Sequence, residues 1–231
     1  MQQTEFNVGV VKPVEAYKEA WEMIKDQFGL VLAVTLVGML IGSAIPIVLI
    51  GPMMCGIYLV LLQKYEGSPV DFAQLFKGFD YFLPSLILSA IIMVPVFVVI
   101  FTMYIPMIFL TMAGPKMGQS ELIATIAGIL AVELIFAVIM VCLHTLLLFA
   151  FPLIVDKKMS AIESIKTSAR AVWANLAGVA GLFGVGFLVA IVGYLMLCIG
   201  IYLVLPLIIA ANVVAYRKIF PGTLPPAGTT L

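Results

Sequence analysis

The sequence predicts an all-α membrane protein with six transmembrane helices arranged as three hairpins, each preceded by an amphipathic helix on the cytoplasmic surface. Three observations predict this fold class: the composition, four apolar blocks separated by polar segments, and an amphipathic pattern that recurs before the spans. Of the 231 residues, 64% are hydrophobic and 10% are charged. Soluble domains have about 45–50% apolar and about 25% charged residues. We therefore expect a chain that is embedded in a membrane.

The four apolar blocks cover residues 28–65, 81–113, 121–155 and 172–220. A helix needs roughly 20 residues to cross a bilayer, so the first and last blocks are long enough for two spans each. Residues 42–46 and Gly51-Pro52 supply turn residues in the first block, and residues 198–200 supply them in the last. The predicted spans are 30–49, 51–65, 82–112, 121–155, 175–198 and 201–218. Eight spans are the alternative, if the two middle blocks fold back on themselves.

The basic residues predict the orientation of the chain. With six spans, eleven of the twelve Lys and Arg residues fall on one side of the membrane, and only Lys116 falls on the other. The positive-inside rule assigns the basic side to the cytoplasm. We therefore expect a protein of the cytoplasmic (inner) membrane with both termini in the cytoplasm and no cleaved signal peptide. Residues 1–220 are predicted to form a single transmembrane bundle, and residues 221–231, rich in Pro, Gly and Thr, a disordered tail.

Amphipathic helices are predicted at about 14–28, 70–80 and 160–173. Their apolar residues recur three or four positions apart, which places them in one stripe along a helix. The stripes consist of Val14, Tyr17, Trp21, Ile24 and Phe28; of Phe72, Leu75, Phe79, Phe82 and Leu86; and of Ile162, Ile165, Ala169, Val172 and Leu176. We expect each stripe to be buried. The alternative is that the pattern reflects only the amphipathic end of any helix that enters a membrane.

Two further features concern these helices and their charge. Ser160 and Glu163 have the spacing of a capping box, in which each side chain satisfies a free backbone N–H at the start of a helix. Segment 14–28 carries more acidic residues than lysines, unlike helices that bind anionic lipid. Its stripe is therefore expected to pack against the bundle or a partner.

Glu133 and His144 form the candidate intramembrane polar site. They are the only strongly polar ionisable residues deep within a predicted span, and their separation of eleven residues, about three turns, places them near one helix face. An ionisable group in hydrocarbon is costly unless it is neutralised or paired, so it marks a functional site by default. The functional interpretation is a proton-responsive pair or the lining of a substrate path. The structural interpretation is a protonated Glu133 and a neutral His144 hydrogen-bonded to neighbouring helices or a second subunit.

Other residues favour packing over chemistry. The fifth predicted span has a smooth, glycine-rich face suited to close helix approach, formed by Gly178, Gly181, Gly184 and Gly186. Three lone cysteines lie inside apolar runs and are expected to be buried: Cys55, Cys142 and Cys198. We expect neither a disulfide, a metal nor a cofactor. The net charge of zero argues against a nucleic-acid partner.

One part of the sequence resembles a known group of proteins. The run Phe151-Pro-Leu-Ile-Val-Asp156, followed by residues 161–165, Ser168-Ala-Arg170 and an aromatic residue before Asn175, is similar to the signature of uncharacterised prokaryotic membrane proteins. This group includes the membrane domain attached to some glycerophosphodiester phosphodiesterases. Gly51-Pro52 and residues 67–79 resemble the first half of the group. The resemblance covers about residues 13–216 and implies a six-helix bundle of unknown function, without the phosphodiesterase activity.

The expected function is that of a non-enzymatic scaffold or accessory subunit that binds lipid or a membrane partner. Its expected partners are membrane lipids and either another membrane protein or a second copy of the chain. An intramembrane enzyme is disfavoured, because no pair of zinc ligands or of nucleophile and base can be assembled. The alternative is a small transporter or lipid-handling protein that uses Glu133 and His144.

Overall fold

The computed structural model of the chain describes residues 5–196 and 199–222, and within these ranges all regular structure is helical. The α-helices described there are α1 (Pro13–Ile24), α2 (Phe28–Ala44), α3 (Pro46–Tyr65), α4 (Phe82–Ala113), α5 (Gln119–Leu146), α6 (Ala150–Lys157), α7 (Ala161–Ala174), α8 (Leu176–Leu195) and α9 (Ile199–Ile219). Short 3₁₀ helices cover Lys25–Gln27, Phe72–Tyr81 and Gly114–Lys116. Cys198 and most of the predicted tail, from residue 223, lie outside the described residues.

Six helical stretches are long and apolar enough to cross a membrane. They are Pro13–Ala44, Pro46–Tyr65, Phe72–Lys116, Gln119–Lys157, Leu176–Leu195 and Gly200–Ile219. The predicted all-α class with six potential spans is therefore confirmed. Because α4 and α5 each run without folding back, the structure gives no support to eight spans. The pairing into three hairpins and the cytoplasmic position of the amphipathic helices stay predictions.

The helix boundaries differ from the predicted spans at two points. The first turn lies at Ile45, between α2 and α3, and Pro52 lies inside α3 instead of in a turn. Pro46 occupies the first turn of α3, where a backbone N–H has no helical partner to lose. The predicted span 121–155 is interrupted between Leu146 and Ala150, where α5 ends and α6 begins.

The chain divides into two compact units, and the single bundle over residues 1–220 stays a prediction. The larger unit consists of the described residues within 1–89 and 146–231, and the smaller unit is Ala90–Thr145. In the larger unit α3 is central: it packs against α2, the 3₁₀ helix Phe72–Tyr81, α6 and α9, and twelve of its 20 residues are buried. In the smaller unit, by contrast, α5 has no buried residue.

Two glycines permit direct backbone contact in the core of the larger unit. A Cβ atom on Gly56 of α3 would overlap the carbonyl oxygen of Leu75. A Cβ atom on Gly78 would overlap the carbonyl oxygen of Pro52. The 3₁₀ helix Phe72–Tyr81 therefore lies on α3 at a distance that only glycine allows.

The glycine-rich face of α8 is used for part of its length. A Cβ atom on Gly178 would contact Val11, and one on Gly181 would contact Pro13, whereas Gly184 faces open space. A Cβ atom on Gly186 would overlap the hydroxyl of Tyr17, so helix α1 and the residues before it approach α8 closely at three of the four predicted glycines.

The prediction that each amphipathic stripe is buried is wrong in part. In α1, Tyr17 is buried but Val14 is 56% exposed and Trp21 is 45% exposed. The inner face is centred on Ala16 and Ala20, because small side chains allow α1 to approach α8 and α9. In segment 72–86, Leu75 is buried, whereas Phe79 and Phe82 are exposed.

Helix α7 departs furthest from its prediction. Its inner face is formed by small and polar residues: Ala161, Ser164, Thr167, Ser168 and Ala171, together with Val172. The larger apolar side chains of Ile162 and Trp173 point away from the unit and are exposed. The apolar stripe read from the sequence therefore lies largely on the outer face of α7.

Candidate functional site

Glu133 lies in the middle of α5, in the smaller unit, and is half-buried. Its Oε1 atom is buried and has no hydrogen-bond partner among the described residues. A buried polar atom without a partner costs about 1–3 kcal/mol. The smaller unit therefore leaves the most polar group of its helix unsatisfied.

Glu133 belongs to the less exposed of the two faces of α5. The half-buried positions on this face are spaced three or four residues apart and include Leu122, Thr125, Ile129, Glu133, Phe136 and Met140. The large exposed apolar side chains elsewhere on the helix include Ile123, Ile126, Leu130, Val132, Leu134, Ile135, Val138, Ile139 and Val141. Glu133 is thus one carboxyl group in the middle of α5, whereas Glu121 and His144 lie near its two ends.

His144 does not pair with Glu133. Its ring is exposed, and its Nδ1 atom lies 2.9 Å from the carbonyl oxygen of Met140, one turn earlier on the same helix. Eleven residues of helix correspond to an axial separation of roughly 16 Å, which no direct contact between the two side chains can bridge. The two residues lie near one face, as their spacing predicts, but they are separate polar positions.

A buried ionic cluster in the larger unit was not singled out from the sequence. The side chains of Arg217 in α9 and Asp156 in α6 are 2% and 1% exposed, and Arg217 Nη1 lies 2.9 Å from Asp156 Oδ1. Arg217 Nη2 donates to Oε1 of Glu66, the residue that directly follows α3. The hydroxyl of Tyr216 donates to Asp156 Oδ2 at 2.6 Å. One guanidinium group therefore joins the ends of α3 and α6 to α9.

The geometry of this cluster indicates a structural role. The contact between Arg217 Nη1 and Asp156 Oδ1 has the distance of an ion pair but not the alignment of a hydrogen bond, and Arg217 Nε has no partner among the described residues. The cluster compensates charge in a buried position, where removing one partner is far more costly than at a surface. The sequence signal was the position of all three charged residues at the carboxyl ends of apolar helices.

Ser168 of α7 holds the break between α5 and α6. Its hydroxyl donates to the carbonyl oxygen of Leu146 at 2.7 Å and accepts from the N–H of Phe149 at 3.1 Å. A helix break within an apolar chain frees backbone groups that must find other partners. Ser168 supplies both partners, so it fixes α7 against the end of α5.

Asn175 fixes the residues before α1 in a similar way. Its Oδ1 atom accepts from the N–H of Gly9 at 2.7 Å, and its Nδ2 atom donates to the carbonyl oxygen of Asn7 at 3.1 Å. Asp156, Ser168 and Asn175 all belong to the run of residues that carries the family resemblance. The roles that the structure gives these three residues are structural.

The cysteines and metal-binding residue types form no site within the described part of the chain. Cys55 is buried, as expected, whereas Cys142 is exposed on α5, contrary to the prediction. Residues 5–196 and 199–222 contain no group of three or more His, Cys, Asp or Glu residues that could hold a metal ion.

No protein-family model, curated protein or solved structure matches the chain. The resemblance to the membrane domain attached to some glycerophosphodiester phosphodiesterases therefore stays a prediction.

Proposed function

We propose that the protein is a non-enzymatic integral membrane protein, a scaffold or accessory subunit that binds lipid or a membrane partner. The smaller unit is the proposed binding surface for that partner. The observation that carries the proposal is the buried, unpartnered Oε1 atom of Glu133 in the middle of a helix whose other exposed side chains between Ile123 and Val141 are apolar. Hydrocarbon chains can cover the apolar side chains, but they offer no hydrogen bond to a carboxyl group.

A second helix that supplies a polar group would satisfy Glu133 after a rotation of its half-buried side chain, which now holds Oε1 inside the unit. Ionisable side chains within membranes face protein or water and pair with other polar groups, because exposure to hydrocarbon costs several kcal/mol on some scales. The partner is therefore a transmembrane helix with a hydrogen-bonding side chain near the level of Glu133. It belongs either to another protein or to a second copy of the chain.

The alternative, a small transporter or lipid-handling protein that uses Glu133 and His144, has less support. The two side chains are not in contact, and the His144 ring lies against the backbone of its own helix. A proton-responsive pair would need a second conformation or a chain of water molecules between them. A pH-dependent transport activity that Glu133→Gln abolishes without unfolding the protein would favour this alternative.

The test of the proposal is the mass of the complex extracted from its own membrane in mild detergent, measured by native mass spectrometry. The wild-type chain should be found with a stoichiometric partner helix, either from another protein or from a second copy. Glu133→Gln keeps hydrogen-bonding capacity and should retain the complex. Glu133→Leu should lose most of it, since an interhelical hydrogen bond in a membrane contributes about 0.6–2 kcal/mol.

Glu121→Leu is the matched control, because Glu121 is an exposed acid in the first turn of the same helix. This control should retain the complex. A wild-type chain that is always found alone, with lipid only, would contradict the proposed partner.

We further propose that both termini are cytoplasmic and that the protein resides in the inner membrane, which the eleven-to-one distribution of basic residues supports. In a chain with its three cysteines replaced by alanine, a membrane-impermeant thiol reagent applied outside should label a cysteine at position 117. It should not label a cysteine at 77 or 166. Labelling at 166 from outside would reverse the proposed orientation.

A further inference from the structure

The outer face of α7 carries exposed apolar and basic side chains, and it belongs to the larger unit, whereas the proposed partner surface around Glu133 belongs to the smaller one. Helix α7 connects two stretches that can cross a membrane, Gln119–Lys157 and Leu176–Leu195. A connection between two consecutive spans lies where the membrane meets water. Helix α7 has exposed Ile162 and Trp173 on its outer face, and tryptophan is enriched at this boundary.

Two cations on this face form no ion pair within the described part of the chain, although the charge of Lys166 acts at longer range on the Glu163 carboxylate and, after the hydrogen bonds from Ser160, helps to lower its pKa. Lys166 and Arg170 are exposed, lie four residues apart and form no ion pair with any described residue. Glu163 is the nearest acid on the helix, but its carboxylate accepts from the backbone N–H and hydroxyl of Ser160 in the capping box. Like charges four residues apart on a helix repel each other by about 0.2–0.5 kcal/mol. An anion bound between them would relieve this repulsion.

A shallow, open pocket of about 380 Å³ with a mostly apolar lining adjoins the second of these cations. It is lined by Leu146, Ala169, Arg170, Trp173 and Ala174. This volume falls in the range of about 300–1,000 Å³ that is typical of small-molecule sites. Four of the five lining residues are apolar or aromatic, and the fifth is the unpaired Arg170. The pocket therefore suits a ligand with an anionic head and an apolar chain.

The walls of the pocket are fixed by the hydrogen bonds of Ser168. Ser168 joins α7 to the carbonyl oxygen of Leu146, so the two sides of the pocket are tied together within the larger unit. The pocket is thus a built feature of the fold. Helix α1 differs from α7 in charge. Together with the Lys25–Gln27 turn, α1 carries four acidic residues and only two lysines.

We propose that this pocket binds an anionic glycerophospholipid, with the lipid phosphate on Arg170 and Lys166 and an acyl chain against Ala169 and Trp173. This site lies in the larger unit and does not depend on the proposed partner of Glu133. Each basic residue near a membrane surface contributes about 1 kcal/mol to attraction of anionic lipid, which corresponds to about fivefold in affinity. Loss of Arg170 should therefore weaken the preference for anionic lipid several-fold.

Trp173 provides a direct probe of the site. The chain has two tryptophans, so a Trp21→Phe background leaves Trp173 as the only one. This variant is reconstituted into vesicles in which either phosphatidylglycerol or phosphatidylcholine carries brominated acyl chains, which quench tryptophan on contact. Quenching of Trp173 should reach half-saturation at a mole fraction of phosphatidylglycerol about five to 25 times lower than that of phosphatidylcholine, depending on whether one or both cations contribute fully.

Arg170→Gln and Lys166→Gln in the same background should each reduce this preference, and circular dichroism should show that the helices persist. Lys77→Gln is the matched control, since Lys77 is an exposed cation in another connecting segment and lines no part of this pocket. The Lys77→Gln variant should prefer phosphatidylglycerol as strongly as the Trp21→Phe background does. Equal quenching by both lipids, or a preference that survives Arg170→Gln and Lys166→Gln, would overturn the proposal. Reversal of the quenching by inorganic phosphate would show a site for a soluble anion and would also overturn the assignment to lipid.

Discussion

The two units of the chain differ in how they compensate buried charge: the larger unit uses ion pairs, although Gln74, Asp156 and Arg217 also leave buried atoms there without a hydrogen bond to a described residue. In the larger unit, Arg217 and Asp156 are almost completely buried and are placed against each other. In the smaller unit, Glu133 has a buried oxygen without a partner, and α5 has no buried residue at all. The two helical stretches that contain the smaller unit have a mean hydropathy of 2.8, against 1.7–2.3 for the other four, so composition already sets the two units apart.

This difference indicates where each unit obtains its stability. The larger unit has small residues at its contacts, such as Gly56, and compensates its buried charges within the chain. The smaller unit has exposed apolar side chains, and its Glu133 forms no ion pair with a described residue, so it depends on surrounding lipid or another helix. This contrast can be tested with substitutions that remove one such feature from either of the two units.

The largest effect is expected for Arg217→Met. This change leaves the buried carboxylate of Asp156 without its main counter-charge, and breaking a buried ion pair from one side costs about 3–5 kcal/mol. The free energy of unfolding, measured by denaturant titration in detergent micelles, should fall by this amount.

Lys218→Met is the control for that measurement, because it changes the next residue. Lys218 Nζ lies 2.7 Å from Glu19 Oε1, but the two side chains are 22% and 47% exposed. Exposed pairs contribute about 0–1 kcal/mol. Equal losses for the two variants would show that the cluster around Arg217 does not hold the larger unit together.

The sequence predicts the larger elements of the fold well, for a physical reason. A span must be about 20 residues long and apolar throughout, and that requirement is visible in any single sequence. Breaks such as the one between Leu146 and Ala150 are harder to predict, because Ser168, 18 residues after the break ends, is what satisfies the freed backbone. The direction of the apolar stripe on α7 also depended on tertiary contacts, since its inner face uses Ala161 and Ser164 instead of isoleucine.

The candidate site could be predicted only in part. Glu133 and His144 stand out because a charge inside an apolar run has a strong local signal. The charges of Glu66, Asp156 and Arg217 lie at helix ends, where charged residues are common, so nothing local distinguishes a buried cluster from solvated ends. These three residues meet only because three helices end at the same place. That convergence is not visible in a single sequence.

The next largest effect is expected for Gly56→Ala. A Cβ atom at this position would overlap the backbone of Leu75, and backbone cannot give way as a flexible side chain can. Overpacking of this kind costs about 1–3 kcal/mol or more. Gly128→Ala in α5 is the control from the smaller unit, since a Cβ atom there would meet nothing within 4 Å. In monomeric detergent-solubilised protein, it should instead raise the free energy of unfolding by about 0.5–1 kcal/mol, as alanine favours helix.

The smallest effect is a pH dependence at the start of α7. The hydroxyl and the backbone N–H of Ser160 hold the pKa of the Glu163 carboxyl below its ordinary value of 4.5. A carboxyl with a lowered pKa in the folded state stabilises that state fully above its ordinary pKa, and the contribution is lost as the pH falls through the lowered value. The melting temperature of the wild-type chain should therefore exceed that of Glu163→Gln at neutral pH, and the difference should shrink as the pH falls below 4.5. Ser160→Ala removes the hydroxyl donor and should reduce the effect of Glu163→Gln at neutral pH. A difference between wild type and Glu163→Gln that stays constant down to low pH would show that the charge of Glu163 does not stabilise α7.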